Sequence, residues 1–149
     1  YPALRAFVEE RGLSDRVILT GRVPHDEVPG LLAAMDMAVL PSAGDYTSPV
    51  KLFEFMACSV PPVAPDFEPI REVLEEGTTG WMFPAGDMEA AVESVLKYSR
   101  DAEALRRVGA NARAYITQHR QWRNNILQLI DFHRTIGQQA PEQTDIRTA

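Results

Sequence analysis

The chain has 149 residues, 45% of them apolar and 24% charged, with a formal net charge of −6. That is the composition of one globular domain, large enough to bury about two-thirds of its unfolded surface. The acidic excess argues against broad nucleic-acid binding, the lone Cys58 excludes an internal disulfide, and no apolar run approaches the length of a membrane span.

Charge is unevenly spread: residues 100–136 hold seven arginines against three acids, whereas residues 1–99 hold seven basic and sixteen acidic residues. A solvated basic face is the reading adopted, with peripheral contact to an anionic membrane as the alternative. Cys58 suits a reducing cytosol and no signal-peptide pattern is present, so a cytoplasmic setting is expected.

In chain order, Pro2 to Arg11 reads as a helix closed by Gly12, with Leu4, Phe7 and Val8 on one face. Val17-Ile18-Leu19 reads as a short buried strand, and Gly21 to Pro24 turns out of it. Asp26 to Met35 is the next helix, with a first turn weakened by Pro29 and Gly30. Met37 to Leu40 is an apolar strand. A loop containing Gly44 leads to Ser48-Pro49, a helix start in which Ser48 caps free N–H groups and Pro49 gives up no useful donor. Leu52, Phe53, Met56 and Ala57 continue at helical spacing.

Val60 to Ala64 is a third strand, its prolines acceptable at the start but not within a central ladder. A short helix runs from Pro69 to Leu74, and Trp81 to Phe83 is a fourth strand. Helices follow at Met88–Tyr98, Ala102–Gln118 and Trp122–Ile136, and from Gly137 the tail is polar and expected to be disordered. Strands alternating with helices indicate an α/β fold with a parallel sheet.

The segment from Pro41 to Ala57 organises the rest. A strand ends, a loop turns, and a helix tip with unpaired N–H groups and the positive end of its dipole faces the strand's carboxyl edge. Such a tip attracts phosphate. Glu54, near the second turn, is placed to accept hydrogen bonds from a sugar diol. On spacing alone, an ordinary crossover with a solvated Glu and Lys is the commoner meaning.

Ser48-Pro49-Val50-Lys51-Leu52-Phe53-Glu54-Phe55-Met56-Ala57, followed by Pro61-Pro62-Val63-Ala64, closely resembles the donor-site segment of retaining glycosyltransferases with the GT-B fold. The branch it looks like is glycosyltransferase family 4 (glycosyltransferase group 1), which builds polysaccharides and glycolipids, and the likeness runs from about Val17 to Trp122. The resemblance implies a Rossmann-like sheet with flanking helices over residues 1–136, forming part of the carboxyl-terminal, nucleotide-sugar-binding domain. It implies transfer of a hexose from a nucleoside-diphosphate sugar to a glycan or lipid acceptor presented by another, amino-terminal domain. Neither a metal nor any cofactor besides the donor is implied.

Residue by residue, it implies that Glu54 binds the ribose hydroxyls, that the tip at Thr47, Ser48 and Val50 receives the diphosphate, and that Arg22 and Val23 lie against the nucleobase. Lys51, in the first turn, would assist at the phosphate. Many members carry an acidic residue eight positions before the glutamate, near the donor sugar; that position is Tyr46 here, with Asp45 beside it. Ser59 replaces the glycine usual after the helix. The family's first strand, its Arg- and Lys-bearing loop and its second strand have no counterpart in residues 1–149, so this stretch alone is expected to be inactive and excised from a longer chain. The strands at 37–40, 60–64 and 81–83 are then expected to pair in parallel, with 17–19 displaced or unpaired beside a vacant slot. A non-catalytic remnant or interaction subunit, and a nucleotide-sugar epimerase on the same fold, are the competing functions. The three histidines show no metal-ligand spacing with Cys58, which reads as a small buried hydrophobe, and Trp81 and Trp122 read as core or interface anchors.

Overall fold

The computed structural model describes residues 2–41 and 50–139, which divide between Leu31 and Leu32 into two compact units. In the first, α1 (Pro2–Glu10) ends in a Schellman turn. The Gly12 N–H donates to the Glu9 carbonyl and that of Leu13 to the Val8 carbonyl, with Gly12 at φ +63°. Of the expected apolar face only Val8 is buried, while Leu4 and Phe7 are half exposed. The strand expected at Val17–Leu19 does not form: the segment is irregular and Ile18 is 85% exposed. Three apolar residues suit a strand only where a neighbouring strand takes their N–H and C=O groups. Among the described residues no ladder includes them. The helix α2 (Val28–Ala33) is shorter than expected and starts late enough to put Pro29 in its first turn, where a missing N–H is harmless.

From Leu32 onward the second unit is built on a parallel sheet of β1 (Ala38–Val39), β2 (Pro62–Pro65) and β3 (Trp81–Phe83), in that order. Ala38 pairs with Pro62 and Val39 with Val63; Val63, Ala64 and Pro65 then pair with Trp81, Met82 and Phe83. The expectation that the 37–40, 60–64 and 81–83 segments pair in parallel, with 17–19 left out, is therefore met. The limit placed on the prolines is not: β2 is central, yet Pro62 and Pro65 lie inside it. Ladder parity explains this. Residues 61, 63 and 65 face β1, as the bonds from Ala38 N–H to Pro61 O (3.1 Å) and Leu40 N–H to Val63 O (2.9 Å) show. Residues 62, 64 and 66 face β3, as the Asp66 N–H bond to Phe83 O (2.8 Å) shows. The missing donor of Pro62 thus precedes the first β3 pair, and that of Pro65 follows the last bond to β1. No ladder bond is lost.

Both faces of the sheet are covered, which is why Val63 and Ala64, on opposite faces, are each fully buried. On one face Ala64 packs with Leu52 and Met56 of α3 (Val50–Ala57), Ile70 of α4 (Glu68–Arg71), Val73 and Leu74 after it, and Ala112 of α6 (Ala102–His119). On the other face Val63, Trp81 and Phe83 pack with Ala91 of α5 (Met88–Tyr98) and with Ala104, Leu105 and Val108 of α6. Trp81 stacks on Tyr98 with ring centroids 4.3 Å apart, so it is a core anchor. Trp122, by contrast, opens α7 (Trp122–Gln139) at 83% exposure. That helix continues three residues past the expected end at Ile136; the rest of the expected polar tail, 140–149, lies outside the described residues. Cys58 is only half-buried.

The turn after α3 keeps the geometry of a glycine cap without the glycine. Ser59 does take the left-handed conformation, at φ +62°, in a complete Schellman turn: its N–H donates to Met56 O (3.0 Å) and that of Val60 to Phe55 O (2.9 Å). The opposite helix makes room for it. A β-carbon on Gly109 of α6 would lie 2.1 Å from the Ser59 carbonyl oxygen, so only glycine allows this approach.

Candidate functional site

Because the three strands are parallel, their carboxyl ends share one edge, the edge at which ligands bind in open α/β sheets. Leu40 and Pro41 leave β1 there, Asp66 and Phe67 leave β2, and Pro84 to Asp87 leave β3. The chain returns to description at Val50, the first residue of α3. Asp45, Tyr46, Thr47 and Ser48, together with the expected cap and Pro49, lie outside the described residues.

Within α3 the 100° rotation per residue sorts the side chains. Leu52 and Met56 are fully buried against the core, whereas Val50, Lys51 and Glu54 fall on the opposite side. Val50 and Lys51 are exposed and Glu54 is half-buried. Neither the Lys51 ammonium nor the Glu54 carboxylate has a hydrogen-bond or ion-pair partner among the described residues. A carboxylate without a donor among the described residues is an acceptor available to a ligand's hydroxyls. Arg22 and Val23 belong to the other compact unit, in the turn after Gly21, which has φ +68°. The structure thus brings Val50, Lys51 and Glu54 together on one helix and describes Arg22 and Val23 separately.

The reading of the sequence missed a charged pair at the same sheet edge. Arg71 donates from Nε to Asp66 Oδ1 at 2.5 Å across the turn that opens α4. This hydrogen bond, reinforced by the guanidinium charge, holds the Asp66 carboxyl below its ordinary value and raises Arg71 further. An Asp and an Arg five residues apart around Pro69 was the available signal. Also unforeseen is an apolar groove beside β1, lined by Val39, Pro41, Met88, Val92, Val95 and Leu96. Among the described residues no group of three or more His, Cys, Asp or Glu is placed to hold a metal ion, and no helix is long and apolar enough to cross a membrane.

This combination of a parallel sheet and a half-buried glutamate on α3 can be set beside known proteins. The profile described as "Glycosyl transferases group 1" matches residues 3–115. The chain belongs to the glycosyltransferase group 1 family. The match begins earlier than the likeness expected from Val17 and stops at Tyr115, short of Trp122. The 2-deoxystreptamine N-acetyl-D-glucosaminyltransferase of Streptomyces fradiae is 34% identical over 109 residues, which cover 73% of this chain and 26% of that protein. A putative colanic acid biosynthesis glycosyltransferase, WcaL, of Salmonella typhimurium is 34% identical over 121 residues, covering 77% of this chain and 30% of that one. Among solved structures, Anabaena HepE in complex with UDP-glucose superposes with a TM-score of 0.77 at 22% identity, over 90% of this chain and 36% of HepE. The fold of this group 1 chain is therefore part of the GT-B carboxyl-terminal domain. The chain spans between about a quarter and a third of the length of these relatives.

Proposed function

We propose that these residues are the donor-binding part of a retaining, family-4-type glycosyltransferase that moves a hexose from a nucleoside-diphosphate sugar to a glycan or lipid acceptor. The observation that carries the reading is Glu54, a half-buried residue whose carboxylate has no partner among the described residues, on the helix that begins at the sheet's carboxyl edge. Group 1 membership and the UDP-glucose complex of HepE support the donor class. In this reading Glu54 accepts hydrogen bonds from the two ribose hydroxyls. The α3 tip at Thr47, Ser48 and Val50 offers backbone N–H groups and its dipole to the diphosphate, with Lys51 beside it. Arg22 and Val23 take the nucleobase, and Asp45 and Tyr46 lie near the donor hexose.

The leaving group of such a transfer is a nucleoside diphosphate, and neutralising its developing charge supplies much of the rate. One lysine is a point charge set against roughly two negative charges, so further cations are required. A longer enzyme is also favoured by the outer edge of β1, which pairs with no further strand among the described residues. Ladder parity turns the Val39 N–H and C=O away from β2, and Val39 itself is 41% exposed beside the exposed Met88, Val92 and Leu96. Residues 1–149 alone are accordingly inactive, and the catalytic unit is the longer protein.

Calorimetric titration of the longer protein with UDP tests the assignment. Glu54→Gln keeps the shape but loses the charged acceptor, and is expected to weaken binding by about 1–3 kcal/mol, roughly five- to 150-fold. Unchanged affinity would remove Glu54 from the site. Tight nucleotide binding without sugar transfer in the longer protein would favour the non-catalytic remnant instead.

A further inference from the structure

At the end of α6 the chain bends, and the bend is built from side chains. Arg120 closes α6 with φ −119° and ψ 27°, its own N–H bonded to Ile116 O. Its guanidinium reaches back across the unit: Nη2 donates to the Glu72 carbonyl at 2.7 Å, and Nε donates to the Tyr115 hydroxyl at 3.1 Å. That hydroxyl in turn donates to the same Glu72 carbonyl at 3.3 Å. Three groups thus close a ring on one backbone oxygen, and Glu72 is the residue that ends α4. The Tyr115 ring is itself held, packed against the core formed by Leu52, Met56 and Ile70. On the far side of the bend, Asn124 Nδ2 donates to Gln118 O at 3.0 Å.

Among the described residues, packing does not set the direction of α7. None of its described side chains is buried, and Trp122, Ile126, Leu129 and Ile130 are all exposed. A helix with no core contact keeps one direction only if its base is fixed. We propose that Arg120 is a positioning residue that locks the elbow between α6 and α7 onto the end of α4, so that α7 projects as an arm of set direction. The guanidinium suits this task because its planar fork serves two acceptors at once. The ring also ties the arm's base to the short helix that follows β2, whose start carries the Asp66–Arg71 pair. Residue 120 lies beyond the span matched by the family profile.

Distances between spin labels test the proposal. With Cys58→Ala to remove the native thiol, labels at Arg107→Cys on α6 and Gln128→Cys on α7 report the elbow angle by double electron–electron resonance. The parent protein is expected to give a single narrow distribution. Arg120→Ala should at least double its width while the thermal unfolding midpoint stays nearly unchanged, since the ring is solvent-exposed. Arg120→Lys, which can still donate to the Glu72 carbonyl, should restore part of the narrowness. Equal widths in the parent and Arg120→Ala, or a parent distribution already broad, would overturn the proposal. Should Arg120→Ala fail to fold, Tyr115→Phe keeps the packed ring and removes only the hydroxyl; it should broaden the distribution, and an unaltered width would likewise refute the lock.

Discussion

Gly109→Ala adds one methyl group to a helix, a change that ordinarily stabilises an exposed helix interior by about 1 kcal/mol. Here the sign is expected to reverse. The new carbon would lie 2.1 Å from the Ser59 carbonyl oxygen, 3.0 Å from the Ser59 carbonyl carbon and 3.3 Å from Pro61 Cδ. Two of these neighbours are backbone and cannot rotate away. Relief requires α6 and the α3–β2 turn to separate by roughly 1 Å, and that shift reaches Val60, Val108 and Ala112, all essentially fully buried. Overpacking of this kind costs about 1–3 kcal/mol, and loosening the two Schellman hydrogen bonds about 0.5–1.5 kcal/mol each. After the propensity gain is deducted, a net loss of about 1–5 kcal/mol is expected, set against the roughly 5–15 kcal/mol typical of a domain. Urea denaturation should show the midpoint falling with the slope unchanged. A variant as stable as the parent would refute the argument, because it would mean that the Ser59–Gly109 approach does not constrain the fold.

At the other side of that contact, Ser59→Gly should stabilise by roughly 0.5–1 kcal/mol, since a non-glycine residue at φ +62° costs about 1–2 kcal/mol and glycine returns part of this as unfolded-chain entropy. Thermal denaturation of the two proteins side by side checks it, and a lower midpoint for the glycine variant would show that Ser59 is not strained. For the pair at the sheet edge, the Asp66 carboxyl is held below its ordinary value of 3.8 by the hydrogen bond from Arg71. Its stabilising contribution is therefore present above the unfolded value and lost as pH falls through the folded one. Arg71→Ala should move the Asp66 titration upward in carboxyl NMR, and an unmoved titration would show that the pair does not persist in solution.

What the sequence determined by itself was local in origin. Met88 and Ala102 were read as the first residues of their helices, and the structure starts α5 and α6 there. The physical reason is that Asp87 and Asp101 accept hydrogen bonds from the N–H groups of Ala90 and Ala104, each at 2.9 Å, in caps complete within four residues. The Leu52–Met56 face and the three parallel strands were legible for a similar reason, since apolar periodicity requires no knowledge of the partner. The tertiary structure decided the remainder. Val17–Leu19 has strand composition but no ladder, because a strand exists only where a second strand completes its hydrogen bonds. Pro62 and Pro65 stand in the central strand because ladder parity aims their missing donors where no acceptor waits. Glu54 was singled out by the family resemblance of its segment, but that its carboxylate has no protein partner among the described residues depends on every neighbouring side chain. Ser59 takes a glycine's conformation because, fifty residues away in sequence, Gly109 of α6 leaves its carbonyl room to approach.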